Sequence, residues 1–317
     1  MARSDWRRPT QWSLDEGRRR IRLTVAYDGT PYYGWQRQSN GRSVQNELEK
    51  ALSTMLKEPI EVSGSGRTDS GVHALGQVCH FDISNKSIPP QAFVNALNQL
   101  LPHDIRIMDS AEVDGSFHAR FSTMAREYRY LIKEEPVFKP FDKNRAAKVR
   151  RFPDFDLLNG YAACIEGTHD FTTFTGAGDR CQSKFRDIYV SRFSWDRDFW
   201  GDPVLVYTIC GNAFLFRMVR SLVGTMLQLG EDGAPVEEFR RRLEAKDRFQ
   251  TGRTAPAGGL YLFRISYDSE EFAWFEPSVE APRECAELGS GMAGTADMAG
   301  KADMKSIAGM DGKEGKR

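Results

Sequence analysis

The sequence predicts an α+β protein in which two β-α-β-containing halves share one sheet system. Strand-like alternation and helical periodicity follow one another along the chain, and the alternation runs through both halves without an internal sequence repeat. The chain has 317 residues, of which 40% are hydrophobic and 11% aromatic, enough for a large buried core. We expect a basic extension over residues 1–19, two α+β halves over 20–114 and 115–276, and a tail over 277–317.

The first half is predicted to be β-α-β-α-β. Residues 20–29, RIRLTVAYDG, alternate as a strand. Ser43 is suited to cap the helix in VQNELEKALSTML, whose apolar residues fall on one face. The segment GQVCHFDI is predicted as a second strand, PPQAFVNALNQLL as a helix that its prolines begin, and DIRIMDSAEV as a third strand.

The second half repeats the alternation from residue 126 onward. REYRYLIKEE is predicted as a strand and DFDLLNGYAACIEG as a helix that ends in Gly167. RDIYVSRFSWDRD and PVLVYTICGNAF are predicted as two strands joined by a Gly-Asp-Pro turn. FRMVRSLVGTMLQLG and VEEFRRRLEA have helical periodicity, and LYLFRISYD is the last predicted strand.

The tail differs in composition from the rest of the chain. After about Pro277 it is rich in Ala, Gly, Met, Lys and Asp, and methionines recur every six residues from Met292 to Met310. That spacing matches neither a helix nor a strand, and so few apolar residues cannot offset the entropy of ordering the chain. We expect residues 277–317 to be disordered.

Charge and cysteine content narrow the class of protein. Lys plus Arg and Asp plus Glu number 44 each, so the chain has no overall basic field, although arginines cluster locally. The five cysteines are widely spaced without a CxxC pair, which favours reduced thiols.

Without a long apolar run or a secretory signal, we expect a cytoplasmic protein. A metal site at His73, Cys79 and His80 is disfavoured, because adjacent strand residues face opposite ways.

The stretch Gly64–Gly76, GSGRTDSGVHALG, concentrates glycine and serine around Arg67 and Asp69. Such a composition is typical of a tight turn or of backbone that a ligand approaches closely. Turn statistics alone favour a structural Asp69 that caps its own backbone.

Six longer motifs resemble the tRNA pseudouridine synthase A family and follow the family order. They are YDGTPYYGWQRQ, GSGRTDSGVHALGQVCHF, FHARFSTMAREYRY, GTHDFTTFTGAG, GNAFLFRMVRSLVGT and TAPAGGLYLF. Motifs of this length are far more specific than a short glycine pattern. The resemblance covers about residues 21–267 and implies a pseudouridine synthase fold with antiparallel or mixed sheets and an active-site cleft between the halves. The repetitive tail is not part of that fold.

The resemblance implies isomerisation of uridine to pseudouridine at positions 38, 39 and 40 of the tRNA anticodon stem-loop, without a cofactor. It also implies a homodimer with tRNA lying across both subunits. Uracil must leave C1′ of the ribose, turn, and rejoin through C5, so the reaction exchanges no electrons. A carboxylate can attack C1′, attack the base or remove a proton.

The resemblance also assigns roles to individual residues. Asp69 matches the catalytic aspartate, Arg220 the arginine that pairs with it, and Tyr128 the tyrosine that stacks on the target base. Arg67 matches an arginine that fills the space of the flipped nucleotide or contacts its phosphate, so the small residues around it would leave room for RNA. His73 could contact phosphate or support the site, although a structural role is favoured.

Alternatives remain open for several of these residues. Tyr128 and Tyr130 share a strand face, so both could simply pack in the core. Arg220 could be a solvated helix arginine, and the aromatic loop, Tyr32 to Arg37, could cover a core edge instead of lying near RNA.

Two other functions compete with the isomerase. A non-catalytic RNA-binding protein would keep the arginines and aromatics but would not need the carboxylate. A nucleoside hydrolase would be expected to place two carboxylates across the scissile bond, whereas the glycine-rich loop offers one.

Overall fold

The computed structural model describes residues 14–39 and 41–268. Its strands are β1 Arg19–Tyr27, β2 Ser63–Gly64, β3 His73–Ile83, β4 Ile105–Val113, β5 Ala125–Glu134, β6 Ala147–Val149, β7 Gly167–Asp170, β8 Phe185–Arg197, β9 Pro203–Gly211 and β10 Leu260–Ser266. Its α-helices are α1 Val44–Leu56, α2 Ala92–Leu100, α3 Phe155–Ala163, α4 Met218–Glu231 and α5 Val236–Glu244. The N-terminal extension before residue 14 and the tail lie outside the described residues.

One mixed sheet of ten strands joins both halves of the described chain. Its order is β4-β1-β3-β10-β5-β9-β8-β7, with β2 paired to β3 and β6 to β5. The last strand, β10, runs parallel to β3 of the first half and antiparallel to β5 of the second. The predicted α+β fold with a mixed sheet is confirmed, and β10 is the strand that joins the two halves.

The core forms from alternate residues of the strands and from the apolar faces of the helices. Along β1, Ile21, Leu23 and Val25 are fully buried, as the alternation predicts. In α1, the Ser43 hydroxyl accepts a hydrogen bond from the Asn46 N–H at 3.3 Å, which confirms the predicted cap. Within the described ranges, no helix is long and apolar enough to cross a membrane.

The structure corrects one predicted helix end. Helix α3 stops at Ala163, four residues before the expected Gly167. Gly167 instead opens β7 with a φ of 94°, so its left-handed conformation starts a strand and does not cap the helix. The short strands β2, β6 and β7 were not predicted, because two to four residues are too few to show an alternation.

Candidate active site

The loop between β2 and β3 presents Asp69, and hydrogen bonds hold the backbone on both sides of it. The Trp35 N–H donates to the Thr68 carbonyl at 3.2 Å, and the Val72 N–H donates to the Asp69 carbonyl at 3.1 Å. The buried Thr68 hydroxyl lies 2.8 Å from the hydroxyl of Tyr27 in β1. Residues before and after Asp69 are therefore anchored, and its side chain projects from a fixed turn.

Glycines around this loop serve packing within the protein. A Cβ on Gly34, whose φ is 90°, would lie 2.3 Å from the Thr68 carbonyl oxygen. A Cβ on Gly64 would lie 2.4 Å from Nε1 of Trp35. Gly66 differs, since its Cβ would have only the Nε of Arg126 within 4 Å, at 3.7 Å. Of these three glycines, Gly66 alone borders open space.

Arg220, in the first turn of α4, contacts Asp69 directly. Its Nη1 donates to Oδ2 of Asp69 at 2.9 Å, and its Nε donates to the Ala255 carbonyl at 2.8 Å. The side chains are 15% and 18% exposed. A guanidinium can hold a carboxylate by two hydrogen bonds, but here Arg220 donates only one to Asp69, because its Nε is turned to Ala255. Within the described chain, Oδ1 of Asp69 consequently accepts no hydrogen bond.

The segment 251–256 holds Arg220 in this orientation. The Ala255 N–H donates back to the Arg220 carbonyl at 3.0 Å, and the Gly252 N–H donates to the Thr225 hydroxyl at 2.9 Å. A Cβ on Gly224 would come within 1.8 Å of the Arg253 carbonyl oxygen. Only glycine at this position lets the segment lie directly on α4.

A second contact fixes the start of α4. The Gly176 N–H donates to the Phe216 carbonyl at 2.7 Å, and the Phe216 N–H donates to Oδ2 of Asp179 at 2.8 Å. Although burial opposes it, hydrogen bonds from Lys184 and from the Phe216 backbone lower the pKa of Asp179 to about 2. Part of the motif GTHDFTTFTGAG therefore positions the helix that carries Arg220.

Tyr128 and Tyr130 lie on the same face of β5 but have different surroundings. Tyr130 is fully buried, and its hydroxyl donates to the Pro256 carbonyl at 2.7 Å. Tyr128 is 8% exposed and packs edge-on against Phe214, with ring centroids 5.1 Å apart. Burial, and to a lesser extent the nearby charge of Asp69, raises the pKa of Tyr128 to about 12. Tyr130 supports the 251–256 segment, whereas Tyr128 lies within electrostatic range of the Asp69 carboxylate.

Arg67 and His73 occupy contrasting positions. Arg67 is exposed and makes no hydrogen bond or ion pair with any residue that the structure describes. His73 is buried, accepts a hydrogen bond from the Gly29 N–H at 3.0 Å, and places Nε2 2.6 Å from the Asn144 carbonyl. Burial lowers the pKa of His73. These contacts favour the structural alternative for His73 and leave Arg67 available for a ligand.

The aromatic loop, Tyr32 to Arg37, also contains both buried and exposed side chains. Tyr32 and Trp35 are buried, so they cover a core edge, whereas Tyr33, Gln36 and Arg37 are exposed. Arg37 is bound to Glu49 at 3.0 Å. Only part of this loop is available to a ligand.

Residues 14–39 and 41–268 contain no group of three or more His, Cys, Asp or Glu side chains arranged to hold a metal ion. Cys79 belongs to the core, while His80 lies 4.7 Å from His118 between ring centroids. The two adjacent side chains face opposite ways, as the strand period predicts.

Sequence reasoning missed the supports of the site. Thr68, Ala255 and Phe214 stand inside the six motifs, but their residue types do not predict a role for them. Their contributions come from a buried hydroxyl, a backbone carbonyl and a ring edge. A pattern of residue types does not predict such contacts. The one available signal is the position of Thr68 directly between Arg67 and Asp69.

Comparison with known proteins gives a consistent result. A family model described as tRNA pseudouridine synthase matches residues 23–122 and 162–268. The tRNA pseudouridine synthase A of Treponema denticola is 45% identical over 262 residues, which cover 81% of this chain and 96% of that protein. The enzyme of the same name from Bacillus pumilus is 43% identical over 252 residues, covering 79% and 100% respectively. That from Treponema pallidum strain Nichols is 46% identical over 235 residues, covering 73% and 82%.

Proposed function

The chain belongs to the tRNA pseudouridine synthase family, and on that premise we propose that it modifies uridines 38, 39 and 40 of the tRNA anticodon stem-loop, with Asp69 as the catalytic carboxylate. It is an isomerase that forms pseudouridine in tRNA. The position in tRNA and the roles of individual residues are the parts of the proposal that need testing.

One observation carries the role of Asp69. Its Oδ2 is held by Arg220 at 2.9 Å, while Oδ1 accepts no hydrogen bond from the described residues. The fixed turn and the guanidinium orient the carboxylate, and one oxygen stays available for a reacting atom. A residue that only capped its own turn would not require a cation from the other half of the chain.

The surroundings suit the steps of the reaction. The N1–C1′ bond of uridine must break and a C5–C1′ bond must form, with loss of the C5 proton. A base that enters the site covers the carboxylate, and the permanent charge of Arg220 compensates the charge of Asp69 when water leaves. Tyr128 offers an aromatic ring within electrostatic range of the carboxylate, and stacking on such a ring holds a base taken out of a helix. Exposed Arg67 can contact phosphate or fill the vacated space.

The experiment is incubation of the purified protein with unmodified tRNA, followed by nucleoside analysis and mapping of each modified position. We expect pseudouridine at 38, 39 and 40, and none with the Asp69→Asn variant. Pseudouridine elsewhere would contradict the assigned positions. Free uracil would indicate a nucleoside hydrolase, and RNA binding without either product would indicate a non-catalytic RNA-binding protein.

We further propose that the protein acts as a homodimer in the cytoplasm, with one tRNA contacting both subunits. The resemblance to the synthase A family supports the dimer, and the four cysteines of the described chain, which are all unpaired, suit a reducing compartment. Sedimentation equilibrium of the free protein tests the dimer. A monomer over the whole concentration range would contradict it.

A further inference from the structure

Arg120, Arg126 and Arg186 lie near the loop between β2 and β3, here called the catalytic loop, and none of them forms an ion pair with a carboxylate of the described residues. Arg126, at the start of β5, donates from Nη1 to the Asn212 carbonyl at 2.6 Å. Its Nη2 donates to the carbonyls of Ser65 at 2.9 Å and of Arg120 at 3.2 Å. All three of these acceptors are neutral backbone groups. The guanidinium therefore bridges the catalytic loop, the end of β9 and the segment before β5 while it keeps its full charge.

Arg120 and Arg186 add positive charge at the same place. The Arg186 Nη1 donates to the carbonyls of Ser183 at 3.0 Å and Phe185 at 2.6 Å, again neutral acceptors. Burial lowers the pKa of Arg126, Tyr128 and Tyr267 oppose that effect, and the charges of Arg120 and Arg186 lower it further, so both arginines lie within electrostatic range of Arg126. Within residues 14–39 and 41–268, no carboxylate lies within 4.0 Å of any of these three guanidinium groups.

Two details favour the binding of an anion that is not part of this chain. The Nε of Arg186 is buried and has no hydrogen-bond partner, which is costly unless a ligand supplies one. Asp187, the adjacent acid, is already bound by the side chains of Asn212 and Thr168 at 2.8 Å each. An uncompensated cluster of this kind is unfavourable in the free protein and favourable once an anion binds.

The cluster lies near Tyr128 and Gly66, which favours a phosphate group of the RNA as the anion. Arg126 precedes Tyr128 by two residues on the same strand face, a separation of about 7 Å along a strand. Its Nε also lies near Gly66, the glycine that borders open space in the catalytic loop. The side chain of Arg120 is exposed and donates no hydrogen bond within the described residues, so its fork is available to match the geometry of a phosphate group.

We propose that Arg120, Arg126 and Arg186 bind a phosphodiester group of the RNA strand adjacent to the nucleotide that enters the active site. This site is separate from Arg67 and rests on the proposed function, because the ligand is the RNA substrate. Its contribution is to hold the strand in register while one nucleotide leaves the stack.

The test combines Arg186→Gln with single neutral methylphosphonate linkages in an anticodon stem-loop RNA. For the wild type, neutralising one linkage next to the target uridine is expected to weaken binding about tenfold or more. For Arg186→Gln, the same replacement is expected to have little further effect, and the slope of log affinity against log salt should fall by about 0.7. Arg120→Gln should behave alike, which keeps the test valid if variants of buried Arg126 fail to fold.

Arg197→Gln is the matched control, because Arg197 is the last residue of β8, in which Arg186 is the second, and it also donates to a backbone carbonyl, that of Gly201. It should keep the wild-type response to the neutral linkage. Equal losses in wild type and Arg186→Gln at every linkage would overturn the proposal and leave the cluster as a backbone support. Pseudouridine formation by the wild type, measured on the unmodified RNA, reports separately on the proposed function, because the phosphate coupling is measured by binding alone.

Discussion

Two clusters of charged side chains in this molecule differ in how fully their charges are paired. Lys133 in β5 is 1% exposed, and its Nζ lies 2.7 Å from both Asp142 and Asp198. Asp202 is 3.8 Å away and also binds Lys139. At the candidate active site, by contrast, one carboxylate meets one guanidinium through a single hydrogen bond.

This difference is the one expected between a structural cluster and a reactive one. Around Lys133, the buried cation is surrounded by acceptors. Burial lowers the pKa of Lys133, but the hydrogen bonds that its ammonium group donates to Asp142 and Asp198 raise the pKa by more. The cation of this cluster is paired with two carboxylates at hydrogen-bond distance and is not available to a ligand. At Asp69, Arg220 binds Oδ2 and so orients the carboxylate, while Oδ1 accepts no hydrogen bond from the described residues and stays available. The stability of the fold should depend on the first cluster and the rate of reaction on the second.

The largest expected effect is on folding. Lys133→Met leaves three carboxylates near one another without their central cation and should lower the free energy of unfolding by about 3–5 kcal/mol. Chemical denaturation measures the loss, and turnover per folded molecule should stay near that of the wild type. Lys148, which pairs with Lys133 across β5 and β6 but forms an exposed ion pair with Glu135, provides the control. Lys148→Met should cost at most about 1 kcal/mol. Similar losses in both variants would contradict the structural role of the Lys133 cluster.

Removing the cation at the candidate active site should lower the rate of pseudouridine formation instead of the stability. Arg220→Leu removes the cation beside Asp69 and should lower the single-turnover rate about 10²- to 10³-fold. Thermal unfolding should change much less than in Lys133→Met, because both side chains at this site retain some exposure. Arg220→Lys keeps the charge but loses the fork that reaches Ala255, so it should recover only part of the rate. A wild-type rate in Arg220→Leu would remove Arg220 from the reaction.

Tyr128 and Tyr130 of β5 should also differ, with a smaller effect: one substitution should change turnover and the other stability. Tyr128→Leu should remove stacking worth about 1–3 kcal/mol per base and should lower turnover far more than tRNA affinity, since backbone contacts dominate affinity. Tyr130→Phe deletes only the hydrogen bond to Pro256 and should cost about 1 kcal/mol of stability. Unchanged turnover in Tyr128→Leu would mean that Tyr130, or neither tyrosine, faces the base.

The buried His80 should make the stability of the fold depend on pH. Burial, together with the neighbouring His118 and Arg20 and against the weaker opposite effect of Asp82, lowers the pKa of His80 to about 3. The unfolded chain binds this proton from about pH 6.5 downward while the folded chain does not, so stability falls as pH drops through that window. At pH 5 the loss is about 2 kcal/mol. Urea unfolding at pH 7 and pH 5 should show a smaller pH-dependent loss in His80→Gln, and an equal loss would remove His80 as its source.

Local features of this fold could be predicted from sequence. The Ser43 cap and the alternation in β1 and β5 depend on residues close together in the chain, so their patterns are visible directly. The place of β10 between β3 and β5 could not be derived in this way, because pairing between distant strands leaves no local period. The same limit applies to α3, where one glycine could equally end a helix or open a strand.

The candidate site shows the same division. The proximity of Asp69 and Arg220, 151 positions apart, came from resemblance to a family and not from any spacing in the sequence. Their hydrogen-bond geometry depends on the Ala255 carbonyl, a backbone group that every residue type possesses. The arginines around Arg126 were also hidden, because a balanced net charge conceals a local cluster without carboxylates.

The most direct test of the central claim is single-turnover pseudouridine formation in an anticodon stem-loop tRNA by wild type, Asp69→Asn, Arg220→Leu and the double variant. If Asp69 is the reacting carboxylate and Arg220 orients it, Asp69→Asn forms no pseudouridine while it still binds tRNA. The double variant should then be little worse than Asp69→Asn alone, because residues that act as a unit are not additive. A rate near that of the wild type in Asp69→Asn would contradict the assignment of Asp69, and fully additive losses would contradict the pairing with Arg220.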